Sequence, residues 1–420
     1  MHHFEYRRGV LHAEDVPLAE IADAAGTPVF VYSRATLTRH YQVFEEPLQE
    51  VPHQVCYAVK ACDSLGVLGL FAGLGAGFDI VSGGELYRCL AAGGDPKKIV
   101  YSGVGKTEAE IRAALGAEIL MFNVESEQEL SKINAVAGQM GKKARVSFRI
   151  NPEVDPETHP YIATGLKENK FGTDVKQSLK LYQDCRKLAN IEVVGVDCHI
   201  GSQLVSTKPF VAAMIKLVEL VAKLRALDFE IRYVDLGGGL GITYDQEEPP
   251  APSEYAREVL LAAKDLECTL IFEPGRVLVG NAGLLLTRVL YTKETPVKNF
   301  VIVDAGMNDC IRPSLYGAFH QLQPARQQPV ARDYRADVVG PICESGDFLA
   351  KGRALPRLAP GDLLALMSAG AYCMSMASNY NARPRPAEVM VSGREFQIIR
   401  KRESYEDLVR NETVPRFHDA

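Results

Sequence analysis

Val55-Cys56-Tyr57-Ala58-Val59-Lys60 is an apolar run closed by a lysine, and it reads as a buried β-strand with a cation at its carboxyl end. Lysine is almost never fully buried unless it is paired. Its amine becomes a nucleophile at neutral pH only when desolvation or a nearby cation lowers its pKa, so Lys60 is a candidate Schiff-base former. A lysine that reaches back to solvent along its alkyl stem is the plain alternative. Seven further strand-like runs follow, at 78–81, 99–102, 119–124, 146–150, 193–200, 233–236 and 270–273. Each leads into a helical stretch or a glycine turn. Eight such repeats match a (β/α)8 TIM-type barrel, with a doubly wound open sheet as the rival architecture.

The helix starts between the strands are marked. Thr107-x-x-Glu110 and Ser126-x-x-Glu129 read as capping boxes. Pro209 opens a helix expected to run through Leu227, with Val211, Ile215, Val218 and Ala222 along its apolar stripe. After about residue 280 the rhythm changes to strand-like runs at 283–291, 300–304, 335–339, 363–368, 388–392 and 395–400, broken by proline and glycine. Phe4-Glu5-Tyr6 and Leu11-His12-Ala13 are expected to add a strand there, and the tail from Ser404 reads as helical. The expected plan is a barrel over 29–280 and a mostly-β domain built from 1–28 and 281–420.

Composition narrows the function. A chain of 420 residues suits two domains, and a net charge of −6 without any basic run argues against a nucleic-acid partner. The uncharged stretch 64–78 is broken by five glycines and falls short of a membrane span. The sequence shows no charged-then-apolar leader, so a cytoplasmic location is expected. Nine cysteines without a C-x-x-C pair point to reduced thiols, with no disulfide framework and no metal site.

Catalytic groups in a barrel sit at the carboxyl ends of the strands. Here those ends are Lys60, Asp79, Ser102, Asn123, Asn151, His199-Ile200-Gly201-Ser202-Gln203, Gly237-Gly238-Gly239 and Glu273-Pro274-Gly275-Arg276. The triple glycine lets backbone approach a ligand and offers N–H groups to an anion, or is simply a tight turn. Together with Gly275-Arg276 on the next strand it suggests a phosphate site between the last two strands. Glu273 suits a ring nitrogen and Arg276 a carboxylate; a structural ion pair is the alternative for either. His199 suits a place over a planar cofactor, or is a satisfied core histidine. In the β-domain, Arg312-Pro313-Ser314-Leu315-Tyr316, the loop from Gly340 to Asp347 with Cys343 and Glu344, and the Gly370-Ala371-Tyr372 segment are chemically dense for loops.

In this order the motifs resemble the barrel-type pyridoxal-phosphate decarboxylases (fold type III, alanine-racemase-like), and within them the group acting on diaminopimelate. The matches are Tyr-Ala-Val-Lys at 57–60, Phe-Asp-Ile-Val-Ser-Gly-Gly-Glu-Leu at 78–86, His-Ile-Gly-Ser-Gln at 199–203, Asp-Leu-Gly-Gly-Gly at 235–239, Glu-Pro-Gly-Arg at 273–276, Arg-Pro-Ser-Leu-Tyr at 312–316, Gly-Pro-Ile-Cys-Glu-Ser-Gly-Asp at 340–347, Gly-Ala-Tyr at 370–372 and Tyr-Asn-Ala-Arg-Pro-Arg-Pro at 380–386. Cys62 departs from the asparagine usual in the family.

The resemblance implies that Lys60 anchors pyridoxal 5′-phosphate, that Glu273 faces the ring nitrogen, and that His199 stacks on the ring, with Asp79 also at the cofactor. It gives the phosphate to Gly237, Gly238, Gly239, Ser202 and the Gly275-Arg276 backbone, with help from Tyr372, which it also places at the substrate. Cys343 would supply the proton that replaces CO2. Glu344 would meet the distal ammonium, and Arg276, Arg312 and Tyr316 the distal carboxylate, of meso-2,6-diaminopimelate, giving L-lysine. The family also implies an obligate homodimer in which the β-domain of one subunit completes the site of the other. Decarboxylases of ornithine, arginine or carboxynorspermidine, a racemase, and a barrel-only cofactor-binding regulator are the rivals.

Overall fold

The computed structural model describes residues 2–154, 172–329 and 334–417. The chain divides into two compact units, one of residues 36–281 and one of residues 1–35 with 282–420.

In the first unit, eight parallel strands close into a barrel among the described residues. Their order is His53–Ala58, Gly77–Ile80, Ile99–Tyr101, Met121–Val124, Ala144–Asn151, Ile191–Cys198, Tyr233–Asp235 and Thr269–Phe272, and the last pairs with the first. Every residue of Gly77–Ile80, Ile99–Tyr101 and Met121–Val124 is buried, as parallel strands covered by helices require. All eight expected runs are strands, with ends shifted by at most two residues.

The helix starts follow the sequence unevenly. Thr107 and Glu110 form a reciprocal capping box. Ser126 accepts from the Glu129 N–H, but the Glu129 carboxylate turns away, accepting from the Glu125 N–H at 2.8 Å and from Lys106 Nζ at 2.7 Å. The helix Lys208–Arg225 buries Phe210, Ala213, Met214, Leu217, Leu220, Val221 and Leu224. The expected stripe lies on the outer side instead, where Ile215 is 47% exposed.

The second unit carries a nine-stranded sheet among the described residues, centred on the long strand Gly283–Glu294. Val29–Ser33, buried along its whole length, pairs antiparallel with that strand and parallel with Ala387–Ser392. Residues 29–35 therefore lie with the β-rich unit rather than with the barrel. The N-terminal segment does not extend this sheet. Phe4–Arg7, Val10–Ala13 and Val16–Pro17 form a three-stranded sheet of their own, and Phe4, Leu11 and Val16 join Leu284, Leu286 and Val389 in one apolar core. Strands at Leu322–Pro324 and Phe348–Ala354, and the helix Leu18–Ala25, were not expected from the sequence. The tail does turn helical, at Tyr405–Val409. Among the described residues no helix is long and apolar enough to cross a membrane.

Candidate active site

Barrel closure brings the first and last strand ends together. Ala58 N–H donates to Pro274 O at 3.1 Å, and a Cβ on Gly275 would sit 3.2 Å from Ala58 Cβ and 3.1 Å from Ala61 Cβ. Lys60 lies in the single 3-10 turn Val59–Ala61 that follows its strand. Its Nζ donates to Asp79 Oδ2 at 2.5 Å, with the lysine one-third exposed and the carboxylate wholly buried. Tyr57 Oη donates to Cys62 O at 3.0 Å, so residue 62 contributes its carbonyl, and the cysteine side chain is buried.

The loops after the sixth and seventh strands are laced to each other. Leu204 N–H donates to Gly239 O and Gly241 N–H to Leu204 O, each at 2.9 Å. The Gln203 amide bridges to both the N–H and the carbonyl of Ile242. Arg276 donates to Tyr244 Oη at 2.7 Å and to Ser202 Oγ at 2.9 Å, which brings two of the expected phosphate-binding residues together. The triple glycine is packed too tightly for any side chain. A Cβ on Gly238 would come within 2.1 Å of Glu273 O, and Gly237 and Gly239 have φ of 70° and 127°.

Two of the three N–H groups expected to face an anion are engaged inside the barrel. Gly237 N–H donates to Asp235 Oδ1 at 2.9 Å and Gly238 N–H to His199 Nδ1 at 3.2 Å. His199 Nδ1 is therefore an acceptor, which places the proton of the neutral ring on Nε2. Burial, then the charges of Arg149 and Lys60, hold this imidazole well below the usual histidine range, hence neutral.

The barrel interior beneath is acidic. Asp197, Asp235 and Glu273 are all buried, with carboxylate oxygens within 4.8 Å of one another. Burial and then the neighbouring carboxylates push Glu273 and Asp197 well above their ordinary values, and burial raises Asp235 to about 6. Sequence reading missed Asp197 and Asp235, along with two buried ion pairs, Arg149–Glu125 at 2.9 Å and Lys106–Glu129 at 2.7 Å. Only the position of Asp235 inside the Asp-Leu-Gly-Gly-Gly motif could have signalled any of these.

In the β-rich unit two of the expected segments meet. The short helix Arg312–Tyr316 is tied to the Cys343 loop by Ser314 Oγ, which donates to Gly346 O at 2.5 Å. Asp347 fixes that loop by accepting from Met307 N–H at 2.7 Å and Ile342 N–H at 2.6 Å. Cys343 is exposed, and its N–H donates to Asn381 Oδ1 at 2.7 Å. Asn381 itself has φ of 57°, a conformation asparagine tolerates well. Glu344 is exposed and accepts from Gly346 N–H at 3.2 Å. Arg312 is buried and donates to His320 Nε2 at 2.8 Å, while His320 Nδ1 donates to Met367 O at 2.8 Å. Half-buried Tyr372, with φ of 58°, precedes Cys373, whose Sγ is 3.4 Å from Cys310 Sγ.

The barrel residues fit a pyridoxal phosphate. A paired lysine at the mouth, a deep carboxylate and a close-packed glycine turn beside Ser202 and Arg276 offer an amine, a ring-nitrogen partner and an anion cradle. Comparison with known proteins agrees. Residues 34–280 match the family model described as pyridoxal-dependent decarboxylase, pyridoxal binding domain. A Vibrio cholerae protein named diaminopimelate decarboxylase is 53% identical over 419 residues, covering 99% of each chain. One of that name from Pseudomonas aeruginosa is 52% identical over 98% of this chain and 99% of its own. The Helicobacter pylori diaminopimelate decarboxylase structure complexed with L-lysine superposes with a TM-score of 0.91 at 44% identity, covering 94% of this chain and 99% of that one. This chain belongs to the pyridoxal-dependent decarboxylase family, in its diaminopimelate decarboxylase group.

Proposed function

We propose that the protein decarboxylates meso-2,6-diaminopimelate to L-lysine and CO2 with pyridoxal 5′-phosphate as cofactor. The observation that carries the chemistry is the Lys60–Asp79 ion pair at the barrel mouth, set among the strand ends that include buried Glu273. The substrate is supported by the whole-chain likeness to the named decarboxylases.

Bound pyridoxal phosphate supplies an electron sink for the electron pair left when CO2 departs. Lys60 anchors the cofactor, with Asp79 holding the lysine in place. Glu273 faces the ring nitrogen and His199, neutral and fixed by Gly238, lies against the ring. Ser202, Gly239 and the Gly275-Arg276 backbone hold the phosphate, assisted by Tyr372. Gly237 and Gly238 act there as spacers that let the turn pass close by. Cys343 holds the proton delivered to the carbon that lost CO2, its loop fixed by Asn381 and Asp347. Glu344 receives the distal ammonium, and Arg276, Arg312 and Tyr316 the distal carboxylate. A homodimer with shared sites brings Cys343, Glu344 and Tyr372 of one subunit to Lys60 of the other.

The test is CO2 release from meso-diaminopimelate beside ornithine and arginine. Turnover of diaminopimelate alone is expected; preference for ornithine or arginine would overturn the substrate. Lys60→Ala is expected to abolish the visible absorption of the bound cofactor. Mixing inactive Lys60→Ala and Cys343→Ala subunits is expected to restore partial activity, and no rescue would reject the shared site.

A further inference from the structure

The three carboxyl groups at the carboxyl ends of strands Ile191–Cys198, Tyr233–Asp235 and Thr269–Phe272 are an excess of acid in a place that disfavours charge. Asp197, Asp235 and Glu273 are 2%, 0% and 4% exposed, and their oxygens lie within 4.8 Å of one another. The cations facing them already have carboxylate partners: Lys60 pairs with Asp79 and Arg149 with Glu125. His199 is neutral, and burial drives the Cys56 and Cys198 thiols far above their usual range, so neither contributes charge of its own. Three carboxylates within 4.8 Å of one another and out of water, facing cations that already hold other carboxylates, cannot all ionise. Such coupled groups share protons as a set.

Neutral side chains hold the set in register. Asp235 accepts from Gly237 N–H at 2.9 Å and from Asn123 Nδ2 at 3.2 Å. Asn123 Nδ2 also reaches Ser102 Oγ at 3.1 Å, and Ser147 Oγ donates to Asn123 Oδ1 at 2.5 Å. Ser102 Oγ lies 3.5 Å from Glu273 Oε1. Asp197 Oδ1 has no hydrogen-bond partner among the described residues.

We propose that Asp197, Asp235 and Glu273 form a shared proton reservoir that keeps Glu273 protonated until a ring nitrogen faces it, with Asp235 and Asp197 as its positioning residues. The Glu273 O–H bond then breaks. The proton passes to the ring nitrogen, or to solvent if that nitrogen arrives protonated, and Glu273 is left as the carboxylate opposite an N–H cation. Asp197 keeps its proton, and the buried site gains one anion and one cation together. This deepens the pyridoxal phosphate reading of the site and rests on it.

Difference infrared spectroscopy of the full-length protein, with and without cofactor, reads the carboxyl proton directly. Addition of pyridoxal phosphate is expected to remove a protonated-carboxyl band. The analogue with carbon in place of the ring nitrogen is expected to bind about tenfold more weakly, the equivalent of one pKa unit, and to leave the band intact. Glu273→Gln should abolish the change, and Asp235→Asn or Asp197→Asn should shrink the band already present without cofactor. Equal band loss with both ligands, or visible cofactor absorption with no band change, would overturn the reservoir. Absence of visible absorption would overturn the cofactor reading and this inference with it.

Discussion

Lys60 Nζ and Asp79 Oδ2 are 2.5 Å apart, yet the two partners live in different surroundings: the lysine is one-third exposed and the aspartate is fully buried. Lys60→Met therefore strands a buried carboxylate. Removing one partner of a fully buried pair costs roughly 3–5 kcal/mol, and the exposure of Lys60 reduces that to about 1–2 kcal/mol here. Guanidinium unfolding of cofactor-free protein is expected to show this loss, and the double variant Lys60→Met with Asp79→Asn to recover much of it. Strictly additive single effects would show that the pair is not coupled.

Gly238→Ala is expected to be among the most damaging single methyl additions. The new Cβ would stand 2.1 Å from the Glu273 carbonyl, and that atom is backbone. A loss of roughly 3 kcal/mol is expected, with failure to retain cofactor. Gly116→Ala is the control: it lies in the helix Glu108–Ala117 with open space around it and should gain about 1 kcal/mol. Thermal unfolding of both variants checks the contrast.

Thiol chemistry should single out one residue. All nine cysteines are free, and Cys343 is exposed while the other eight are buried. A disulfide reagent such as dithionitrobenzoate is expected to modify about one thiol rapidly in the native protein, following exposure. Cys343→Ala should remove that fast phase, and fast modification surviving in this variant would contradict the assignment.

Asp309 makes a pH prediction. Burial pushes its carboxyl up to about 7, against the Gly306 N–H that donates to it at 2.9 Å. A group raised in the folded state favours folding below its unfolded pKa of roughly 4, and that benefit is lost as pH rises to about 7. The loss is at most about 4 kcal/mol from this shift. Asp309→Asn should flatten the decline in stability between about pH 4 and 7, because a turned Asn308 amide can then accept from the new NH2. An unchanged profile in chemical unfolding would reject the shift.

Sequence reading found the barrel because each strand carries its own signal, an apolar run ending in a polar or glycine-rich loop. It failed where two local patterns were equally good. The helix Lys208–Arg225 is apolar on both the buried Phe210–Met214–Leu217 side and the outer Val211–Ile215–Val218 side, so periodicity cannot choose between them. Val29–Ser33 reads equally well as either domain's strand, and only its partners Gly283–Glu294 and Ala387–Ser392 decide. Lys60, His199, Glu273 and Cys343 were legible as residues. What Gly237 and Gly238 donate to, the burial of Arg312 against His320, and the pairing of Arg149 with Glu125 were not, since these depend on contacts across strands.

The register of Val55 against Phe272, and the Ala58–Pro274 bond beyond it, joins opposite ends of the barrel sequence. Contacts between such distant segments form late, after most of the loop-closure cost has been met. Lys60 and the Glu273 loop thus become neighbours only when the last strand docks on the first. During synthesis, cofactor capture would mark the completion of the cylinder. A chain halted before Thr269 would carry the lysine but have no pocket to place it in.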